Sequence, residues 1–210
     1  MATEGIFNFI QVSDRIGTGG QPTREQLEAA RDEGYQAVIN LAPSDAENFA
    51  LADEEHVVTD LGLIYHHIPV AWTDPRPEQF AAFCAAMQQV GDRKVLIHCA
   101  AGKDRTGILA ALTHHLAGVS EEDIVADFLL TNDIHRFERR APQFAAHIEE
   151  MTGRLPSREA MITAMGVEAQ YLETAFAAIH ERHTTLDAYL EDVLGVDAAR
   201  REAIAHRILD

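Results

Sequence analysis

The sequence is poor in the residues that several protein classes require. Only two of its 210 residues are cysteine, too few for a disulfide framework. Lysine and arginine together number 17 against 34 aspartates and glutamates, and the resulting net charge of −17 argues against a protein that coats nucleic acid. No segment approaches the roughly 18 uninterrupted apolar residues of a membrane span. We therefore expect no nucleic-acid partner and no integral membrane association.

The composition that remains is that of an ordinary globular protein, with 47% hydrophobic and 24% charged residues. The first residues, MATEGIFNFIQVSD, lack the basic start, long apolar run and cleavage site of a secretory signal, which favours a cytoplasmic location. No internal repeat or linker divides the chain. We predict a single domain over residues 1–210, long enough to bury roughly 70% of the surface that its unfolded form exposes.

The hydrophobic pattern predicts an α/β part over residues 1–118 and a helical part over 119–210. Short apolar runs suited to buried strands occur within 6–19, 37–42, 63–70 and 94–98, and helical patterns separate them, including 24–34 and 77–90. Parallel strands need such crossover helices. The pattern therefore predicts a central, mainly parallel sheet flanked by helices on both faces, followed by a C-terminal helical cluster.

From Arg105 onward nearly every segment has a helical pattern. These segments are RTGILAALTHHL, EEDIVADFLL after a capping Ser120, EAQYLETAFAAIHERH, LDAYLEDVL and AARREAIAHRIL. The stretch 134–156 is less regular and carries Arg136, Arg139 and Arg140. It is interpreted as a surface helix with a solvated basic patch, with a lid over a site as the alternative.

Many polar residues stand where the strand at 94–98 ends, in VLIHCAAGKDRTG (95–107). If a helix starts near Arg105, residues Cys99 to Asp104 must form a tight loop, in which Gly102 is available for a positive φ. The backbone N–H groups of such a loop, the following helix N-terminus and the planar guanidinium of Arg105 all favour an anion. We predict a phosphate-sized anion site here.

Cys99 stands at the mouth of this loop, where the same field stabilises a thiolate and hence a nucleophile. Thr106 can donate its hydroxyl to the sulfur. The plainer interpretation is a buried strand-end thiol followed by a solvated surface turn at Lys103, Asp104 and Arg105. That interpretation explains neither the five-residue gap between Cys99 and Arg105 nor the strand-loop-helix setting.

In full, HCAAGKDRTG resembles the signature of the cysteine-dependent protein tyrosine and dual-specificity phosphatases, and its GKDRTG half is most similar to bacterial tyrosine/serine phosphatases with lipid phosphatase activity. The segments TGGQPTREQLEAARDEGYQAVINLAP and GVSEEDIVADFLLTND extend the resemblance, as does YLETAFAAIHERHTTLDAYLEDVLGV, with 134–160 the least similar part.

The resemblance implies a role for each residue of the loop 98–106. Cys99 is the nucleophile, Arg105 the phosphate clamp and Lys103 an extra cation for highly charged substrates. His98 and Thr106 tune the thiolate. The substrate-binding positions are Ala100, Ala101, Gly102, Lys103 and Thr106.

The implied reaction is hydrolysis of a phosphomonoester through a phosphocysteine, with no metal or organic cofactor. Two residues are candidates for the general acid. Asp74, in AWTDPRP, follows the strand 63–70 and would leave the same sheet edge as Cys99 if the two strands are parallel, so reach favours Asp74. Asp104 lies between Lys103 and Arg105, whose charges are expected to depress its pKa, although the resembling bacterial group makes it a contender.

The substrate class stays open at this point. Phosphotyrosine and phosphoserine/threonine proteins compete with phosphoinositides and inositol phosphates; Lys103 favours the multiply charged ones, and the acidic net charge opposes docking on an anionic membrane. A non-catalytic phosphate-binding module and a rhodanese-type sulfurtransferase are the alternatives from other classes.

Two further features suggest structural roles. Cys84 is expected to be a core residue of its helix. The resemblance leaves open a reversible disulfide between Cys84 and Cys99, for which the sequence supplies the second thiol but not the distance. The eleven histidines form no pattern with a third ligand in view, so we predict no metal site.

Overall fold

The computed structural model describes residues 2–43, 53–70, 77–192, 197–199 and 201–202. Its strands are β1 (Ile10–Gln11), β2 (Ile16–Gly19), β3 (Ala37–Asn40), β4 (Ile64–His67) and β5 (Val95–His98). Its α-helices are α1 (Arg24–Asp32), α2 (Glu54–Asp60), α3 (Pro77–Val90), α4 (Asp104–Leu116), α5 (Glu121–Leu129), α6 (Ile134–Thr152), α7 (Arg158–Met165), α8 (Ala169–Arg182) and α9 (Leu186–Asp192). None of the helices within these ranges is both long enough and apolar enough to cross a membrane.

The strands form one sheet in the order β1-β2-β5-β3-β4. Only the short edge pair β1 and β2 is antiparallel; β2 with β5, β5 with β3 and β3 with β4 are parallel. The mainly parallel sheet is confirmed. The strands 63–70 and 94–98 therefore run in the same direction, as the reach of Asp74 requires.

Alternate residues of the central strands pack on opposite faces of the sheet. Ile39 and Ile97 join the larger hydrophobic cluster, which α3, α4, α5, α8 and α9 complete. Val38 and Leu96 face the smaller cluster, formed with α1 and α2. Because both faces of β3 and β5 are buried, their sequences are continuous apolar runs rather than alternating ones. The predicted helices on both faces are confirmed.

Local capping explains where several helices begin. Thr23 and Gln26 form a reciprocal capping box at α1, and the Ser120 hydroxyl accepts the Asp123 N–H at α5, as predicted. Ser157 caps α7 in the same way, although the sequence pattern had not indicated this helix. In the segment AARREAIAHRIL, residues 198–199 and 201–202 are helical, and the rest of that prediction lies outside the described residues.

Helix α6 lies at the surface as expected, with Arg139 exposed, but one side of it is buried. Phe137 and Ala141 lie on one side of it and are buried against Met165 of α7, with Phe7 and Phe144 packed around them. Arg140 is also buried. The interpretation of a solvated basic patch is therefore wrong for Arg140, because the apolar residues at i, i+4 and i+7 draw that side of the helix onto the protein.

Candidate active site

The loop that follows β5 lies at the carboxyl edge of the parallel sheet, where α/β folds place their sites. β5 ends at His98 between β2 and β3, and α4 begins at Asp104. The strand end, the loop and the helix start therefore stand within one residue of their predicted positions.

The Cys99 side chain is buried, with 2% of its surface exposed. Its sulfur accepts two hydrogen bonds, from the Gly102 N–H at 3.2 Å and from the Thr106 hydroxyl at 3.3 Å. The sulfur is therefore contacted by one donor of the loop and by one donor of the following helix. The contact predicted for Thr106 is present.

The carbonyl groups of the loop are bound from its outer side. Asn8 Nδ2 donates to the Ala101 carbonyl at 2.7 Å, and the Gln21 N–H donates to the Ala100 carbonyl at 2.9 Å. Because the N–H and C=O of a trans peptide point in opposite directions, the N–H groups of Ala101 and Gly102 face the inner side, where Sγ lies. This arrangement has the geometry that was predicted for an anion cradle.

Gly102 is required by the shape of the loop. Its φ is +66°, and a Cβ atom at this position would collide with the backbone of Gly19 and Gly20. We expect Gly102→Ala to lower the free energy of unfolding by at least about 2 kcal/mol and to remove most anion binding. Thermal unfolding and phosphate titration measure both effects.

Gly118→Ala is the matched control for that variant. Gly118 has a φ of +83° at the end of α4, but nothing lies within 4 Å of a Cβ placed there. Gly118→Ala should therefore lower the free energy of unfolding by roughly 1 to 2 kcal/mol through backbone strain alone. Its anion binding should equal that of the parent. Equal losses of stability and of anion binding in the two variants would contradict the role given to the contact between Gly102 and the backbone of Gly19 and Gly20.

Arg105 is buried and held in place by the sheet. Its Nε donates to the Val70 carbonyl at 2.7 Å, just beyond the end of β4. A guanidinium fixed in this way loses little conformational freedom when it binds an anion. Val70 is also the last described residue before the segment that carries Asp74, which lies outside the described residues.

The expectation of a depressed pKa at Asp104 is wrong in direction. Burial raises the pKa of this carboxyl, and the opposing charges of Lys103 and Arg105 do not outweigh it. The Lys103 ammonium lies 3.7 Å from Asp104 Oδ2 and donates to the Gly166 carbonyl at 2.7 Å. Lys103 thus connects the loop to the end of α7, a contact that the sequence did not indicate.

His98 has a buried acidic partner that the sequence analysis missed. Glu54 Oε1 lies 2.9 Å from His98 Nε2, an electrostatic contact that lacks the geometry of a straight hydrogen bond. Asn40, which is paired in register with His98 across β3 and β5, donates to Glu54 Oε2 at 2.6 Å. The available signal was the presence of two polar residues at the ends of otherwise apolar strands.

Burial raises the pKa of Glu54, but the contacts with His98, Gln21 and Asn40 outweigh it and leave the pKa below its usual 4.5. A carboxyl whose pKa is lower in the folded than in the unfolded state stabilises the fold at any pH above its unfolded-state pKa. This stabilisation is lost as the pH falls through its folded-state pKa. We expect Glu54→Gln to lower the free energy of unfolding by about 1 to 3 kcal/mol at neutral pH.

Denaturant unfolding between pH 3 and 8 tests that expectation, with Glu55→Gln as the control because Glu55 is the exposed neighbour on α2. The difference between Glu54→Gln and the parent should shrink as the pH falls below 4.5. A difference that is constant with pH would show that the Glu54 charge does not stabilise the fold.

Comparison with known proteins agrees with this site. Residues 20–210 match the model of the tyrosine phosphatase family. The chain is 38% identical over 112 residues to the triple specificity protein phosphatase PtpB of Mycobacterium tuberculosis, covering 48% of this chain and 38% of PtpB. A protein of Cupriavidus necator is 34% identical over 137 residues, covering 65% of this chain and 46% of that protein. The chain thus spans less than half the length of these relatives.

The fold comparison also leads to a structure described as a phosphatase. The crystal structure of a DUF442 protein from Shewanella putrefaciens CN-32 aligns with a TM-score of 0.53 at 26% identity, over 85% of this chain and 96% of that one. The matched model covers the cradle, both candidate acids and the helical part of the chain. The chain therefore belongs to the tyrosine phosphatase family.

Proposed function

We propose that the chain is a phosphomonoester hydrolase that acts through a phosphocysteine intermediate. The observation that carries this proposal is the sulfur of Cys99, which accepts two hydrogen bonds inside a loop that Arg105 closes. A phosphate-binding module without turnover needs no thiolate there. The family match supports the phosphatase over a sulfurtransferase of the rhodanese type.

The first step transfers the phosphoryl group to the protein. The Cys99 thiolate attacks phosphorus, an S–P bond forms, and the P–O bond to the leaving group breaks with its electron pair going to oxygen. The inward N–H groups of the loop and the Arg105 guanidinium offset the charge on the transferred group. A carboxylic acid donates a proton to the leaving oxygen.

The second step returns the enzyme to its starting state. The same residue, now a carboxylate, takes a proton from water, which attacks phosphorus and breaks the S–P bond. The sulfur leaves as a thiolate, and Gly102 and Thr106 are placed to stabilise it. Inorganic phosphate is the product, and neither step as written uses a cofactor.

We assign the proton donor to Asp104 rather than to Asp74. Reach favoured Asp74, and the second reason to prefer it was the expected depression of the Asp104 pKa by its basic neighbours, a direction that burial reverses. A raised pKa keeps the acid protonated to higher pH, as a donor requires. Asp104 is also the first residue of α4, directly before the clamp Arg105.

Phosphotyrosine proteins, with phosphoserine/threonine proteins beside them, are the proposed substrates. Phosphoinositides and inositol phosphates are the second class, favoured by the cationic Lys103 beside the cradle. The relative PtpB is described as having triple specificity. A breadth of this kind is compatible with a cradle that binds the phosphate mainly through backbone groups.

Phosphate release from four substrate sets tests the proposal: phosphotyrosine peptides, phosphoserine peptides, phosphoinositides in mixed micelles and soluble inositol phosphates. We expect kcat/KM to be highest on phosphotyrosine peptides. A preference for either inositol class would move the chain to the second candidate. No release from any set, with phosphate still bound, would make the chain a binding module.

A further inference from the structure

A second basic feature lies beside the cradle and plays no part in the mechanism above. Three arginines near the start of α6 line a small depression that reaches Gly102 of the loop. Its lining residues are Asn8, Phe9, Ile10, Gly102, Thr131, Arg136, Arg139 and Arg140. The depression itself encloses only about 10 Å³, and a cavity of about 240 Å³ adjoins it and shares Ile10, Gly102, Thr131 and Arg136. We call this depression the arginine depression.

Within the described part of the chain, the arginine depression has an excess of positive charge, with Asp133 as the carboxylate that acts on Arg140 through space. No carboxylate there forms an ion pair with Arg136, Arg139 or Arg140, and Asp133, the nearest acidic influence, instead caps α6 by accepting the Arg136 N–H. Burial, followed by repulsion from the other two arginines, lowers the pKa of Arg140 to about 10. Like charges three and four residues apart on a helix repel each other, so an anion here would relieve the repulsion.

Arg140 is fixed in a position to bind such an anion. Its Nε donates to the Arg136 carbonyl and its Nη2 to the Thr131 carbonyl, both at 2.8 Å. These bonds use two of the five N–H groups of the guanidinium and hold its plane in one orientation. The chain thus keeps a buried, oriented cation for which the described residues provide no ion-pair partner.

Asn8 gives a second and independent indication of a ligand. It is 6% exposed, and its Nδ2 is committed to the Ala101 carbonyl. Its Oδ1 is buried without a hydrogen-bond partner among the described residues. Buried polar atoms are almost always paired, and an unpaired one indicates a missing water, ion or ligand. The arginine depression therefore offers cationic donors together with one acceptor.

The arginine depression is separate from the cradle. Asn8 binds the outer, carbonyl side of the loop, whereas the Gly102 N–H points inward to Cys99. We propose that the arginine depression is a second anion site, which binds a phosphate group carrying an adjacent O–H donor. The arginines bind the phosphate oxygens, and the hydroxyl, from monohydrogen phosphate or a neighbouring alcohol, donates to Asn8 Oδ1.

Two sources can supply this chemistry. One is a second phosphate group on the substrate molecule itself, an interpretation that rests on the proposed function. The other is a separate phosphate compound that binds without being hydrolysed, which does not depend on catalysis. Binding and kinetic measurements distinguish these sources.

The binding arm uses the full chain with the Cys99→Ser substitution and inorganic phosphate as the probe. Phosphorus NMR and calorimetry measure how many phosphate ions bind. We expect two phosphate sites in this protein and one after the added pair Arg136→Gln and Arg139→Gln. The control is Arg154→Gln, which removes an exposed arginine outside the arginine depression and should retain both sites. If Cys99→Ser binds phosphate at one site only, and the added pair of substitutions does not change this number, the proposal is overturned.

The kinetic arm compares an aryl bisphosphate with the matching monophosphate. If the second phosphate of the substrate occupies the arginine depression, Arg136→Gln with Arg139→Gln should lower the bisphosphate-to-monophosphate ratio of kcat/KM by about tenfold. An unchanged ratio, with the second phosphate lost in the binding arm, assigns the site to a separate ligand. A protein that hydrolyses neither substrate refutes the proposed function, and the binding arm still decides the second site.

Discussion

Cys99→Ser is expected to lower kcat on an aryl phosphate by at least about four orders of magnitude. A serine hydroxyl in the same place stays protonated and is a poor nucleophile without a neighbouring base. The inward N–H groups and Arg105 do not depend on the sulfur, so the variant should still bind phosphate or vanadate. Steady-state kinetics and anion titration on the same preparation measure the two properties.

The matched control for this variant is the other cysteine. Cys84 lies on α3, and burial raises the pKa of its thiol to about 11, which makes it a poor nucleophile at neutral pH. Cys84→Ser should therefore keep the parent rate. Near-parental turnover in Cys99→Ser would show that the nucleophile is another residue, and a loss of anion binding equal to the loss of rate would show that the substitution disrupts the loop.

Asp104→Asn is expected to lower kcat/KM on an alkyl phosphate by roughly 10² to 10⁴-fold, with a much smaller loss on an aryl phosphate that has a good leaving group. Only the poor leaving group needs the proton. The parent rate should fall as the pH rises through the pKa of the acid, which burial raises at Asp104. Asp104→Asn should remove this high-pH limb, because the amide does not titrate.

Asp74→Asn is the comparison that decides between the two acids. If Asp104 is the donor, Asp74→Asn should lower the rates on both esters by similar factors and keep the high-pH limb. The assignment fails if Asp74→Asn shows the dependence on leaving group and Asp104→Asn does not. The segment that carries Asp74 would then supply the proton.

The sequence predicted those parts of the molecule that local rules determine. Apolar runs marked β3 and β5, and side-chain oxygens at Thr23 and Ser120 marked helix starts. The five residues between Cys99 and Arg105 predicted the cradle, because the backbone N–H groups of a tight loop can converge on one point. Gly102 has the positive φ that was expected.

The sequence did not predict the parts that depend on distant neighbours. Glu54 meets His98 only because α2 packs above the register pair of Asn40 and His98. Basic neighbours suggested a lowered pKa at Asp104, but burial raises it, and burial is a property of the fold. Likewise, Arg140 of α6 is buried because Phe137 and Ala141 draw that side of the helix onto the protein, which the charge pattern alone does not show.

The most direct test of the proposed chemistry is to trap the intermediate. The full chain is mixed with a phosphotyrosine peptide, quenched in denaturant within milliseconds to seconds, digested and examined by mass spectrometry. We predict one phosphoryl group on the sulfur of the peptide that contains Cys99, with an amount that rises and then decays as product forms. Product formation with no phosphoryl group on Cys99 at any time, or with the group on another residue, would contradict the phosphocysteine mechanism.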